Sequence, residues 1–248
     1  GDEAAEARHV GADEIDRRAI DLDQISGAEH LMIRLTCLNS QLDPALDLVA
    51  DLLQNSTFAD FPKEAARLAG EIQSHLDQPR ERARDLFLRT MFAGHPYGHT
   101  GTLVLQSLPE LDADRVRAWY ERQLCATRMN CVVVGDVATE ELVPRLEARF
   151  GGIPAMDRAL PVGPPPTPTA PTVATEAKAE ANQAQLYQGW YAPGFGDADR
   201  APLSALNTLL GAGGLSCRLF VELRDKQGLA YTVRSGYSAF SDAGLFSL

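Results

Sequence analysis

Apolar residues recur along this chain in two rhythms. Short branched runs bounded by turn residues read as strands, LMIRLTCL from Leu31 to Leu38 and NCVVVGD from Asn130 to Asp136, the latter the clearest buried strand in the sequence. Between and after them the apolar positions take helical spacing. Asp43-Pro44 makes a helix start, an N-cap followed by proline at the first helical position, and Leu46, Val49, Ala50 and Leu53 continue it. Phe61-Pro62 opens a second helix carrying Leu68 and Ile72, and Pro79 a third running through Leu86 and Leu88 towards Phe92. His95-Pro-Tyr-Gly98 is a turn. Asp112 caps a helix with Val116, Trp119 and Tyr120, and Leu142, Leu146 and Phe150 line another that Gly151-Gly152 ends. Strand, several helices, strand, helix predicts α/β layers, with helices packed on one sheet.

The run from Leu160 to Thr175 breaks this pattern, because it is rich in proline and carries no charge. Such a stretch is a semi-rigid spacer, so the boundaries expected are a first domain over 1–159, a Pro-rich linker over 160–176 and the start of a second domain over 177–248. That second part reads as a strand (Gln185 to Tyr191), a helix (about Arg200 to Leu210), a glycine loop, another helix and two strands.

At 248 residues the chain is long enough for one large or two modest cores. With 45% hydrophobic and 23% charged residues it has an ordinary globular composition. A formal net charge of −11 argues against nucleic acid, whose phosphates need clustered Lys and Arg, and favours cationic partners. No apolar run is long enough to span a bilayer, and no signal peptide is visible. Cys37, Cys125, Cys131 and Cys217 show neither CxxC spacing nor the density of a disulfide scaffold. Cys37 and Cys131 read as small buried residues in strands, a Cys125–Cys131 bridge stays open, and so does the compartment.

Candidate chemistry concentrates near the C-terminus. GAGGLS lacks the lysine of a Walker loop and the order of a dinucleotide fingerprint, so it reads as a tight turn entering a helix. Arg224 lies on the last turn of that helix and Tyr231 at the mouth of the next strand, with Gly228 between them as a left-handed cap. A guanidinium and a phenol so placed can converge on one point, an arrangement suited to holding a peptide carbonyl. No two histidines show HExxH or HxxEH spacing; His95 and His99 are separated by Pro-Tyr-Gly, which is no helix. Glu71 and His75 share a helix face at i, i+4, too few groups for a catalytic zinc.

Taken in order, GAGGLSCRLFVELRDKQGLAYTVRSGYSAFSDAGLF, LTCLNSQLDPALDLVADLLQNSTF, FAGHPYGHTGT, LPELDADRVRAWYERQL and RMNCVVVGDV resemble the pitrilysin/insulinase class of zinc endopeptidases. The nearest branch is the one that includes mitochondrial processing peptidase and its bacterial relatives. The resemblance implies an α+β fold of two similar domains, each a mainly antiparallel sheet covered by helices and both incomplete in this chain. It implies a chamber enclosed with a homologous peptidase half, as a homo- or heterodimer. One half supplies zinc through HxxEH and a distant Glu; the other supplies an Arg and a Tyr. Carried over by position, Arg224 and Tyr231 match that pair as catalytic and substrate-binding residues, and Glu71 falls where the third zinc ligand would be.

Residues 1–29 contain no HxxEH. The resemblance therefore implies one of three roles. The chain is the substrate-holding half that works with a zinc-bearing partner; or it belongs to a zinc peptidase whose HxxEH lies upstream, with Glu71 as a ligand; or it is a non-catalytic assembly subunit. The substrates implied are peptides or unfolded proteins, bound as an added strand at a sheet edge.

Overall fold

A computed structural model describes residues 15–156, Gly163, Pro165, 170–179 and 181–248. Most of the Pro-rich linker lies outside these. Packing divides the chain into two compact units, one of residues 1–66 with 110–160, the other of 67–109 with 161–248.

In the first unit, β1 (Asp21–Ser26) and β2 (Leu31–Thr36) form an antiparallel hairpin in which Asp21 pairs with Thr36 and Ser26 with Leu31. Helix α1 (Leu42–Gln54) buries Ala45 and Leu46, and packs on α6 (Thr139–Phe150). Arg149 of α6 joins the two, donating to Asp47 at 2.6 Å and pairing with Asp43 at 3.1 Å. The hydrogen bond to Asp47 is the chief reason its guanidinium is held above its ordinary pKa. Helix α5 (Ala113–Gln123) opens as expected, with the Asp112 carboxylate accepting from the Arg115 amide at 2.8 Å. Its Tyr120 hydroxyl donates to the Leu53 carbonyl at 2.8 Å, and the ring meets Phe58 edge-on at 5.5 Å.

Three expectations are corrected here. α1 begins at Leu42, so Asp43 sits inside the first turn rather than capping it; there it complements the helix dipole and remains available to Arg149. The 130–136 run joins no ladder among the described residues, and Val132 and Val134 are 84% and 94% exposed. A branched apolar run is buried only when another strand supplies hydrogen bonds and covers its faces, and no described segment does so. Cys131, in that run, is likewise exposed, Cys37 just past the end of β2 is half-buried, and Cys125 is buried; all four thiols are free, so Cys125 and Cys131 are unbridged.

The second unit holds most of α2 (Phe61–Leu76), α3 (Pro79–Met91), α4 (Gly101–Ser107) and the C-terminal elements. Pro79 occupies the first turn of α3, where a missing N–H costs nothing. The sheet has the order β3-β5-β4, antiparallel throughout, with β5 (Gly244–Ser247) between β3 (Gly189–Ala192) and β4 (Gly236–Ala239). The first of these strands is shorter than the expected 185–191 run.

The core of this unit centres on Phe92, which is fully buried. Tyr97, Tyr191 and Phe240 meet its ring edge-on at 5.5, 5.6 and 6.1 Å, and Ala243 and Leu245 complete the cluster. Such aromatic pairs add about 0.5–1.5 kcal/mol each beyond the area they bury. Arg82 pairs with Glu176, and Lys178 donates to the Asp77 carbonyl at 2.5 Å, tying the segment after the Pro-rich run to the start of α3. Helices with small antiparallel sheets make the fold α+β, as expected.

Candidate functional site

Arg224 and Tyr231 are placed by two backbone devices on either side of one helical segment. Helix α7 (Arg200–Asn207) runs into a wider π-type turn, Thr208–Ala212, where the glycine loop begins. Gly211 is buried there because the backbone of Ser235 comes so close that a Cβ would run into the Ser235 amide. Ser235 in turn donates its hydroxyl to the Asn207 side chain at 2.7 Å. Loop and returning chain are thereby locked together.

A second π-type segment, Phe220–Asp225, follows the loop and carries Arg224 near its end. It stops in a left-handed glycine cap: Leu229 donates to the Leu223 carbonyl at 2.9 Å and Gly228 to that of Arg224 at 3.0 Å, with Gly228 at φ 63°. The reversal brings Tyr231 back over the helix. Its ring centroid lies 4.5 Å from the Arg224 guanidinium carbon, so the convergence expected of this pair is present. Phe220, one turn earlier, lies equally close at 4.5 Å. Phe220 escaped the sequence reading, although its place four residues before Arg224 on one helix was the available signal.

The surroundings leave this pair accessible. Tyr231 is 81% exposed, and its hydroxyl makes no hydrogen bond to a described residue. Glu222, on the same segment, is occupied by Lys226 at 2.7 Å, and this hydrogen bond chiefly holds its carboxyl below the ordinary value. Leu209, Leu215 and Leu229 are largely exposed on the same stretch. A planar cation with donors in its plane, a phenol and apolar side chains make a surface that can hold an extended peptide.

Glu71 lies on α2 and is ion-paired with Arg67 at 2.5 Å. With His75, Glu81, Asp85, Tyr97 and His99 it lines an open cleft of about 450 Å³. Among the described residues no three His, Cys, Asp or Glu side chains converge closely enough to hold a metal ion. They do not by themselves fit a zinc site. His95 is structural: its Nδ1 accepts from the Tyr97 amide at 3.2 Å and its Nε2 lies 2.9 Å from the Gly163 carbonyl, so Nε2 carries the proton.

The family model described as the peptidase M16 inactive domain matches residues 110–248. A Mycobacterium leprae protein named an uncharacterized zinc protease is 32% identical over 244 residues, covering 96% of this chain and 54% of its own length. The chain belongs to the M16 peptidase family. In fold this M16 chain is similar to a peptidase M16 inactive domain from Pseudomonas fluorescens, with TM-score 0.84 at 22% identity over 96% of this chain and 58% of that one. A protease from Helicobacter pylori superposes equally well, with TM-score 0.85, 22% identity and the same two coverages. The chain thus spans about half the length of the curated relatives it matches. The M16 resemblance seen in the motifs is confirmed, and the part matched is the inactive domain. No described helix is long and apolar enough to cross a membrane.

Proposed function

We propose that this chain is the substrate-holding half of an M16 zinc endopeptidase. The observation that carries this reading is the stacking of Arg224 on Tyr231 at the Gly228 turn, with the phenol free of hydrogen bonds to described residues. The donors in the guanidinium plane bind a carbonyl of an extended peptide, and the Tyr231 hydroxyl donates to the oxygen that gains charge as the peptide bond is attacked. Zinc is supplied by a homologous half; this chain's residues bind and orient. Its match to the inactive domain supports that division of labour.

In the full-length protein assembled with its zinc-bearing half, Tyr231→Phe lowers peptide turnover by about 10²–10³-fold at an unchanged melting temperature, the usual cost of losing one oxyanion donor. Full turnover by Tyr231→Phe and Arg224→Ala together overturns the reading. It would instead favour a non-catalytic assembly role.

The relatives' length favours a second reading. A relative named a zinc protease is nearly twice as long as its match to this chain, leaving room in a parent protein for an HxxEH helix to which Glu71 would add a ligand. Stoichiometric zinc in the full-length protein, lost in Glu71→Gln, supports it; zinc retained by that variant rules Glu71 out.

A further inference from the structure

Two aromatic rings approach the guanidinium of Arg224. Its central carbon is 4.5 Å from the Phe220 centroid and 4.5 Å from the Tyr231 centroid. Phe220 reaches it from the same π-type segment and Tyr231 from beyond the Gly228 turn, so the two rings come from opposite directions along the chain. No carboxylate of a described residue lies within ion-pairing distance of Arg224.

These facts fix what the cation can do. Two rings packed this close favour binding through the N–H groups directed away from them, and they restrict rotation of a side chain that otherwise carries large rotamer freedom. A lone surface arginine would sample many directions, and most of them would miss a bound peptide. Tyr231 alone could not prevent this. It is largely exposed, and a single ring restrains the guanidinium less than two do.

We propose that Phe220 is a positioning residue, the second wall that holds the Arg224 guanidinium edge-on to the substrate's backbone carbonyl. The inference rests on the substrate-holding reading of Arg224 and Tyr231 and adds to it the residue that orients the grip. Phe220 itself touches no reacting atom.

The test uses the full-length protein and a short unstructured fluorescent peptide blocked at both ends, so that only its backbone and side chains can bind. Phe220→Leu, Phe220→Tyr, Arg224→Ala and Tyr231→Phe are compared by peptide affinity, by the chemical shifts of the Arg224 side-chain protons and by melting temperature. Phe220→Leu is expected to weaken binding by about three- to tenfold and to remove the ring-current shift of Arg224 with no change in melting temperature. Phe220→Tyr, which restores a ring, should restore both. Normal affinity in Phe220→Leu while Arg224→Ala binds poorly overturns the inference and leaves the substrate-holding reading intact. Weak binding in both Phe220 variants with lowered melting temperatures also overturns it, since the ring would then matter only for folding. If Arg224→Ala and Tyr231→Phe bind and turn over normally, both readings fall together.

Discussion

The Asp85 carboxylate accepts a hydrogen bond from the Thr102 amide at 3.0 Å, so a buried charge on α3 anchors the first turn of α4. Burial pushes its pKa up most strongly, but hydrogen bonds from Thr102 and Thr100 and the Arg89 guanidinium 3.2 Å away together outweigh it, and the net shift is downward. A carboxyl with a lower pKa folded than unfolded stabilises fully above its unfolded value, and that contribution disappears as pH falls through the folded value. Asp85→Asn should therefore cost about 1–3 kcal/mol at neutral pH and flatten the loss of stability below about pH 4, read by denaturant unfolding at several pH values.

Gly228 is the hinge of the Arg–Tyr turn. Its φ of 63° suits glycine, and alanine there costs about 1–2 kcal/mol. Gly228→Ala should lower stability by that amount and weaken peptide binding more than the stability loss accounts for, because Tyr231 no longer returns over Arg224. Equilibrium unfolding and peptide titration of the same preparation separate the two effects.

The Tyr191 hydroxyl donates to the Met91 carbonyl at 2.5 Å, and burial raises its pKa. Tyr191→Phe keeps the ring beside Phe92 and removes only this bond, so a loss of about 1 kcal/mol is expected. Phe92→Ala removes the centre of the aromatic cluster, and about 3–5 kcal/mol with it. Thermal unfolding distinguishes the two.

Glu71 is committed to Arg67, an exposed pair worth less than about 1 kcal/mol. This chain alone should therefore take up no stoichiometric zinc, and EDTA should leave its melting temperature unchanged. Elemental analysis of the purified chain is the check.

Much of this was legible in the sequence because it depends on local chemistry. Pro79 and Asp112 announce helix starts through groups that their own turns use, and Gly228 announces the reversal that unites Arg224 with Tyr231. The 130–136 run misled because a strand's burial depends on a partner distant in sequence, which composition does not reveal. The π-type widening at Phe220 was equally invisible, since no proline, glycine or side-chain cap within Phe220–Asp225 marks it. The grouping of 67–109 with the C-terminal residues depends on aromatic contacts such as Phe92 to Phe240, far apart along the chain. The two-domain boundary at the Pro-rich run remains a proposal from composition.

The order β3-β5-β4 makes β5 a keystone. β3 and β4 are not neighbours in the sheet; the backbone ladder of each is with residues 244–247, on opposite sides. Unpairing these residues would therefore dissolve two ladders at once and strip Leu245 from around Phe92. Four residues thus govern whether the aromatic heart of the unit stays closed.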